Sequence, residues 1–376
     1  MFGIITSSMI KGRASIMANN VYQESMALTR SCTVCPNPFR VDMYKGCDFG
    51  CKYCFANMHI FKPNEFKEAD IEKLQRKFKV ALETDKKRKD VIIELLRNRV
   101  PIHCGGMSDP FQEREYERKL TYKLIELSNK YDYPICFSTK TAKLPESYLM
   151  ILNPKIHAFQ SSIMGFTESY IRKWEKNTPS AESRVAFVKE MRDLGFWHSI
   201  RIQPIIDIIE VLSLLDYVFR VTTPSYVTVE HLKIINDNKE ALNAYRQYCS
   251  NKADFWYTSS KKLECRQNIK IHNIESIQEL CNKHGVLVGV GDNDLHYMTQ
   301  SRNCCGIDTA GEAFENYLKY NVTYMSTGAY NVSDMFIPQC NCRKHINDQK
   351  FGNYIDFKEY VDAYMQRHKL KARSLF

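Results

Sequence analysis

Between Arg40 and His231 the chain alternates short apolar runs with longer amphipathic ones, and this alternation restricts its fold more than any other feature. The runs at Arg40 to Lys45, Val100 to Cys104, Pro134 to Thr139, Ile156 to Ile163, Ser199 to Ile206 and Tyr226 to Glu230 are rich in β-branched and aromatic residues and read as strands. The intervening stretches carry helical periodicity. Glu113 to Lys130 and Ser180 to Leu194 are the clearest, the second opened by Pro179-Ser180 and closed by Gly195. Strands joined through helices must pair in parallel, because a parallel pair needs a long crossover. The expected class is therefore α/β, with a sheet or an open barrel both compatible with the alternation, and the reading taken is an open (β/α)6 partial TIM barrel with an additional C-terminal segment. In such folds the chemistry gathers at the carboxyl ends of the strands.

The rhythm falters after His231. Asn236 to Asn273 is polar, aromatic and charged without a clean period, and Val286 to Val290 reads as one further buried strand before Gly291-Asp292-Asn293-Asp294. The expected organisation is an N-terminal extension over 1–36, the barrel over 37–231, and a covering or substrate segment over 232–376.

Three residues separate Cys47 from Cys51 and two separate Cys51 from Cys54 in Gly46-Cys47-Asp48-Phe49-Gly50-Cys51-Lys52-Tyr53-Cys54, directly after the first expected strand. Three thiolates in one tight loop leave one iron of a four-iron cubane open. Structural zinc prefers two separated pairs, and ferredoxin runs bring a fourth cysteine close behind, so both fit less well. The chain holds 14 cysteines. No signal peptide precedes them, and the longest apolar stretch, Ile200 to Phe219, is interrupted by Arg201, Asp207, Glu210 and Asp216, so no membrane span is expected. A cytoplasmic location follows from these readings, and there thiols stay reduced and metal binding accounts for such a count better than disulfides.

The cysteine loop, with the aromatic Tyr53 before the third cysteine, resembles the radical S-adenosylmethionine (SAM) superfamily. Further matches follow at the expected strand ends: His103-Cys104-Gly105-Gly106-Met107-Ser108-Asp109-Pro110-Phe111, Ser138-Thr139-Lys140 and Gln160-Ser161-Ser162-Ile163. With Trp174-Glu175, Arg184 and Gln203-Pro204, the series over about 37–232 is similar to the spore photoproduct lyase-like branch.

The resemblance implies a 4Fe-4S cluster on Cys47, Cys51 and Cys54, and reductive cleavage of SAM to a 5'-deoxyadenosyl radical that abstracts hydrogen from substrate. It also implies a low-potential electron donor such as flavodoxin or ferredoxin. By the same resemblance, backbone from Gly105 and Gly106 to Ser108 receives the cofactor's amino group, with the glycines clearing room for it. Lys140 and Ser162 hold its carboxylate, and backbone near Tyr53 and Gln203 meets the adenine.

Two departures limit the likeness. Gly106 and Met107 stand where the lyases carry a hydrogen-donating cysteine, leaving Cys104 as the nearest thiol and catalytic candidate, and Phe55 stands where they carry a tyrosine. The resemblance therefore does not bring the photoproduct repair reaction with it. Met107 also replaces an acidic residue common after the two glycines in the wider superfamily, so that either Asp109 takes its place or the contact is absent.

Elsewhere, Asn303-Cys304-Cys305-Gly306 and Gln339-Cys340-Asn341-Cys342 form two close pairs, read either as ligands of an auxiliary iron-sulfur cluster or zinc, or as buried thiols. Cys32 and Cys35 offer an alternative pair or a structural turn. Lysine and arginine outnumber aspartate and glutamate by 53 to 43, a net charge of +10. That balance and the relatives suggest a nucleic acid or nucleotide substrate; a peptide or small metabolite, or a non-catalytic metal protein, are the alternatives. Tyr245, Tyr248, Phe255, Trp256 and Tyr257 among Arg246, Lys252, Lys261 and Lys262 read either as a stacking groove for nucleic acid or as core aromatics.

Overall fold

The computed structural model describes residues 21–22, 25–28, 39–56, 66–85, 90–235, 238–258, 262–292, 294–295, 298–301, 304–317, 321–324 and 330–333. In chain order the strands used below are β1 (Val21–Tyr22), β2 (Met26–Leu28), β3 (Phe39–Val41), β4 (Tyr44–Lys45), β5 (Lys67–Ala69), β6 (Ile102–Cys104), β7 (Ile135–Thr139), β8 (His157–Ser162), β9 (His198–Ile205), β10 (Tyr226–His231), β11 (Lys233–Ile234), β12 (Phe255–Tyr257), β13 (Leu263–Cys265) and β14 (Val288–Val290). The main sheet has the order β14-β10-β9-β8-β7-β6-β3-β2. All its neighbours run parallel except β2, which is antiparallel to β3. The expected strands thus form an open barrel sheet in sequence order, and β14, from the segment after 231, adds a seventh parallel strand beside β10.

Two faces follow from the pleat. On one, Val41, Ile102, Cys104, Ile135, Phe137 and Phe159 pack with Leu74, Leu124 and Phe187 from the helices. Ile200, Ile202, Val227, Val229, Val288 and Val290 continue that layer with Val185, Leu214 and Ile277. Arg40, His103, Ser138, Gln160, Arg201 and Thr228 alternate with these apolar residues and therefore line the other, concave face.

The lower part of that face is filled by a late segment. Ile307 and Phe314 pack with Cys136, Ala158, Trp197 and Tyr226, and Thr228 donates to the Cys304 carbonyl (2.9 Å). Gly289 allows this approach, since a Cβ there would stand 2.2 Å from the Cys304 oxygen.

Local chemistry sets the boundaries. The helix Ala181–Asp193 starts where Ser180 accepts from the Ser183 N–H (3.2 Å), and Ile208–Val221 where Asp207 accepts from Ile209 (2.9 Å). Glu113 to Lys130, read as one helix, is two: Glu113–Arg118 and Leu120–Lys130, broken at Lys119 in the left-handed region (φ 56°). The buried carboxylate of Glu115 explains the break, because it accepts from the N–H groups of Thr121 and Tyr122 (both 2.9 Å) and so starts a new helix. Arg40 to Lys45, read as one strand, is likewise two. Asp42 breaks it, and β4 leaves for a small sheet of order β1-β5-β4. A second small sheet, β11-β13-β12, packs with Met164, Tyr170, Trp174 and the cluster-loop residue Tyr53 in one core. Among the described residues, no helix is long and apolar enough to cross a membrane.

Buried histidines make stability pH-dependent. The Asn153 N–H donates to His157 Nδ1 (2.9 Å), so Nε2 carries the proton toward Ser128 Oγ (3.0 Å). Burial lowers His157 and His198 to about 3. Above the unfolded value near 6.5 both states are neutral; below it only the unfolded chain gains the proton. Stability is therefore complete above about pH 6.5 and falls as pH drops toward 3, by up to about 1.4 kcal/mol per pH unit for each histidine. Denaturant titrations across this window should show a shallower fall for His157→Gln than for the native chain.

Candidate cofactor and cluster site

The cysteine loop leaves β4 and is held between two segments distant in sequence. On one side Gln112, fully buried, accepts from the Asp48 N–H (3.0 Å) and donates to the Gly46 carbonyl (3.3 Å). On the other, the Lys52 N–H donates to Trp174 (2.9 Å), Asn177 N–H to Phe49 (3.1 Å) and Asn177 Nδ2 to Asp48 (2.8 Å), while Cys51 and Glu175 form a β-bridge.

Within the loop Cys51 is buried and Cys47 and Cys54 half-buried. Burial first, then the Asp109 charge, pushes the Cys47 thiol up to about 12, although Phe49 and Asp109 offer it backbone N–H groups. Burial also pushes Cys51 well up, against the pull of Lys140. Cys47 feels the charge of Cys54, and Cys51 that of both neighbours. Such thiols need a strong local positive charge to ionise, which iron supplies. Among the described residues no three His, Cys, Asp or Glu side chains stand at the separation one metal ion requires. Three thiols on one loop, one of them offered backbone N–H groups, fit the sites of separate irons in a cluster.

Beneath the loop lies Glu175, fully buried. Its Oε1 meets Lys140 Nζ (3.1 Å) and the Tyr53 hydroxyl; its Oε2 meets Arg184 (3.0 Å) and the Thr178 hydroxyl (2.9 Å). Arg184, also fully buried, donates in addition to the Ser162 carbonyl (2.8 Å). Burial alone would raise the Glu175 carboxyl, but Lys140 and Arg184 outweigh it and bring it down to about 2. Burial opposes the charge on Lys140, and Glu175 and then Cys51 more than restore it, so its pKa stands above the ordinary lysine value.

The segment after β6 is pinned from both ends. Asp42, fully buried and ion-paired with Arg40, accepts from the Met107 N–H (2.8 Å), and the Ser108 hydroxyl donates to the Tyr44 carbonyl (2.7 Å). Asp109 accepts from Phe111 N–H (2.9 Å), the Thr139 hydroxyl (2.8 Å) and Lys140 N–H (2.6 Å), and burial raises it to about 6.

The expected site residues have the following places in the fold. Asp109, expected to meet the cofactor, has its carboxylate engaged in joining this loop to the end of β7. Gly105 (φ 104°) is needed for the protein's own packing, since a Cβ would lie 2.2 Å from the Ser138 carbonyl, and a Cβ on Gly106 would lie 2.9 Å from the Arg40 side chain. Lys140 is already paired with Glu175. The Ser162 hydroxyl bonds to no described residue. Gln203 lies between Arg201 and Glu230, bonded to both. Cys104 faces the helix layer among Val41, Ile102 and Ile135, away from the concave face, because its place on β6 puts it one residue out of phase with His103. Sequence reading missed Gln112, Asn177 and Asp42, whose contacts span 64 or more residues and leave no local pattern. Cys304 and Cys305 are half-buried, their carbonyls held by Thr228 and Gln160. Cys340, Cys342, Cys32 and Cys35 lie outside the described residues.

A parallel barrel sheet with a three-cysteine loop at the carboxyl end of its first strands defines a radical SAM domain. Residues 41–209 match the model of the Radical SAM superfamily, so this part of the chain carries a radical SAM domain. Among solved structures it is similar to a spore photoproduct lyase double mutant with bound AdoMet and dinucleoside spore photoproduct, at 14% identity, TM-score 0.52, and coverage of 76% of this chain and 84% of that one. A single mutant of that lyase with dinucleoside spore photoproduct gives 14%, 0.51, 76% and 83%, and another gives 15%, 0.51, 68% and 78%. At such identities the likeness concerns the fold. No curated protein sequence matches the chain.

Removing the Glu175 carboxylate leaves Arg184 and Lys140 buried without their counter-charge. Glu175→Ala is expected to lower stability by about 3–5 kcal/mol, measured by denaturant unfolding of the metal-free protein. A change below about 1 kcal/mol would show that these ions do not act as a buried unit.

Proposed function

We propose that this chain is a radical SAM enzyme and that it acts on a nucleic acid or nucleotide. The observation that carries this is the placement of Trp256 and Tyr257, 47% and 52% exposed on the edge strand β12 of a small sheet whose core includes Tyr53 of the cluster loop. Arg246, Lys252 and Lys262 are exposed around them. Exposed aromatics offer stacking faces to bases, and the cations suit a phosphate backbone. The structurally similar lyase, bound to a dinucleoside, supports the same class of substrate. Tyr245 and Phe255 do not belong to this surface: they are buried and pack edge-to-face at 5.4 Å.

Cys47, Cys51 and Cys54 would hold the 4Fe-4S cluster. When bound, cluster and cofactor supply reductive cleavage of the sulfonium and hydrogen abstraction by the resulting 5'-deoxyadenosyl radical. The chain's own residues do the positioning. Glu175 keeps Lys140 charged beside the loop, from where it and the Ser162 hydroxyl would receive the cofactor's carboxylate. Asp42 and Asp109 fix backbone 105–108 for its amino group, and Tyr53 and Gln203 would flank the adenine. Flavodoxin or ferredoxin would deliver the electron, and an auxiliary cluster or zinc on Cys304, Cys305, Cys340 and Cys342 belongs to the same proposal.

Anaerobic reconstitution tests the first part: the native chain should release 5'-deoxyadenosine under strong reductant, and Cys47→Ala, Cys51→Ala or Cys54→Ala should lose both the cluster absorbance and the product. For the substrate, oligonucleotide affinity should fall steeply with salt. In a folded, iron-bearing variant with Arg246, Lys252 and Lys262 changed to alanine, the slope of log K against log salt should shrink by about 2–3. Coincident slopes would remove this surface from the proposal.

A further inference from the structure

The concave face carries two arginines in different states. Arg40 is ion-paired with the fully buried Asp42. Arg201, half-buried on β9, donates Nε to Gln203 Oε1, and its two terminal nitrogens bond to no described residue. Its register partners are Ser162 on β8 and Thr228 on β10. The nearby carboxylate, Glu230, is occupied elsewhere, bonded to Lys233 (3.2 Å) and Gln203. His103, bonded to Ser138 Oγ (2.7 Å), is held neutral: burial first, then Arg201 and Arg40, lowers it to about 3. At the register of Arg201 the late segment reaches β10, where Thr228 donates to the Cys304 carbonyl. Arg201 is thus a guanidinium fork on a polar, partly desolvated wall, and its two terminal nitrogens find no acceptor among the described residues.

Lys140 and Arg201 also divide by location. Lys140 acts on Cys51 and Glu175 at the cluster. Arg201 acts on His103, Cys136 and Glu230, deeper on the concave face. A carboxylate of the cofactor is served by the first cation, leaving the second for another molecule.

We propose that Arg201 anchors the substrate by binding an oxyanion, phosphate or carboxylate, through its two terminal nitrogens. This rests on the radical-enzyme reading and deepens it: the substrate is an anion whose charged group enters the barrel. The fork geometry matches two oxygens of either group. A phosphate would agree with a nucleotide, a carboxylate with an anionic metabolite or peptide end.

The test uses reconstituted holoenzyme with inorganic phosphate and acetate as probes, followed by calorimetry, and SAM affinity measured separately by equilibrium dialysis. The native enzyme should bind one probe. Arg201→Ala should weaken that binding at least about thirtyfold, and Arg201→Lys, which keeps charge without the fork, by less. SAM affinity should stay unchanged in both. Preference for phosphate or for acetate identifies the substrate's group. The proposal is overturned if the native enzyme binds neither probe, if the variants bind as the native enzyme does, or if SAM affinity falls in parallel, which would make Arg201 a cofactor ligand. If Arg201→Ala does not fold, Arg201→Lys at native strength also overturns it. Loss of the oligonucleotide salt effect with phosphate binding intact would remove the nucleic-acid surface and leave this site standing.

Discussion

Everything at the candidate site hangs on one buried carboxylate. Glu175 gathers Lys140 from the end of β7, Arg184 from the helix layer, Tyr53 from the cluster loop and Thr178 from its own segment. Arg184 then reaches the carbonyl of Ser162 at the end of β8. A charge network of this kind adds little net stability compared with an apolar core of equal volume, but breaking it in part is costly. Its effect is geometric: two strand ends and the cysteine loop cannot shift relative to one another without separating buried charges. For chemistry that relies on a short reach between a cluster and its cofactor, that rigidity is what the protein has to provide.

The order of strands was legible because parallel β/α folds write themselves locally. Each strand of β6 to β10 is buried on the helix side, so it reads as an apolar run, and helix caps such as Ser180 and Asp207 mark the intervals. The two failures of segmentation have one origin. At Glu115 and at Asp42 a carboxylate buried by distant partners caps or bends its own neighbourhood, and no periodicity announces a contact made by Tyr148 or Met107.

The site was legible to the same degree. The cysteine spacing and the motifs at strand ends are contiguous and could be named residue by residue. The tasks of those residues were harder to assign, since they depend on what stands opposite. Gly105 clears space for the Ser138 carbonyl and Asp109 ties down backbone, facts invisible without the neighbouring strand. Aromatic composition left two readings open for the same reason: Tyr245 and Trp256 look alike in sequence, and only the packing of the small sheet separates a core residue from an exposed one.

The place of β14 bears on how such a chain reaches its final form. In space Val288–Val290 lies beside Tyr226–His231, yet the whole β11-β13-β12 module and the helix Gln267–Lys283 intervene in the chain. During synthesis, β10 must therefore present a bare sheet edge, with Val227 and Val229 uncovered on one side, until the ribosome has passed Val290. Unpaired edges are where chains aggregate. Folding of the intervening module is thus tied to protection of the barrel: by collapsing early against Trp174 and Tyr170, it would bring the last strand within reach of the edge it must cover.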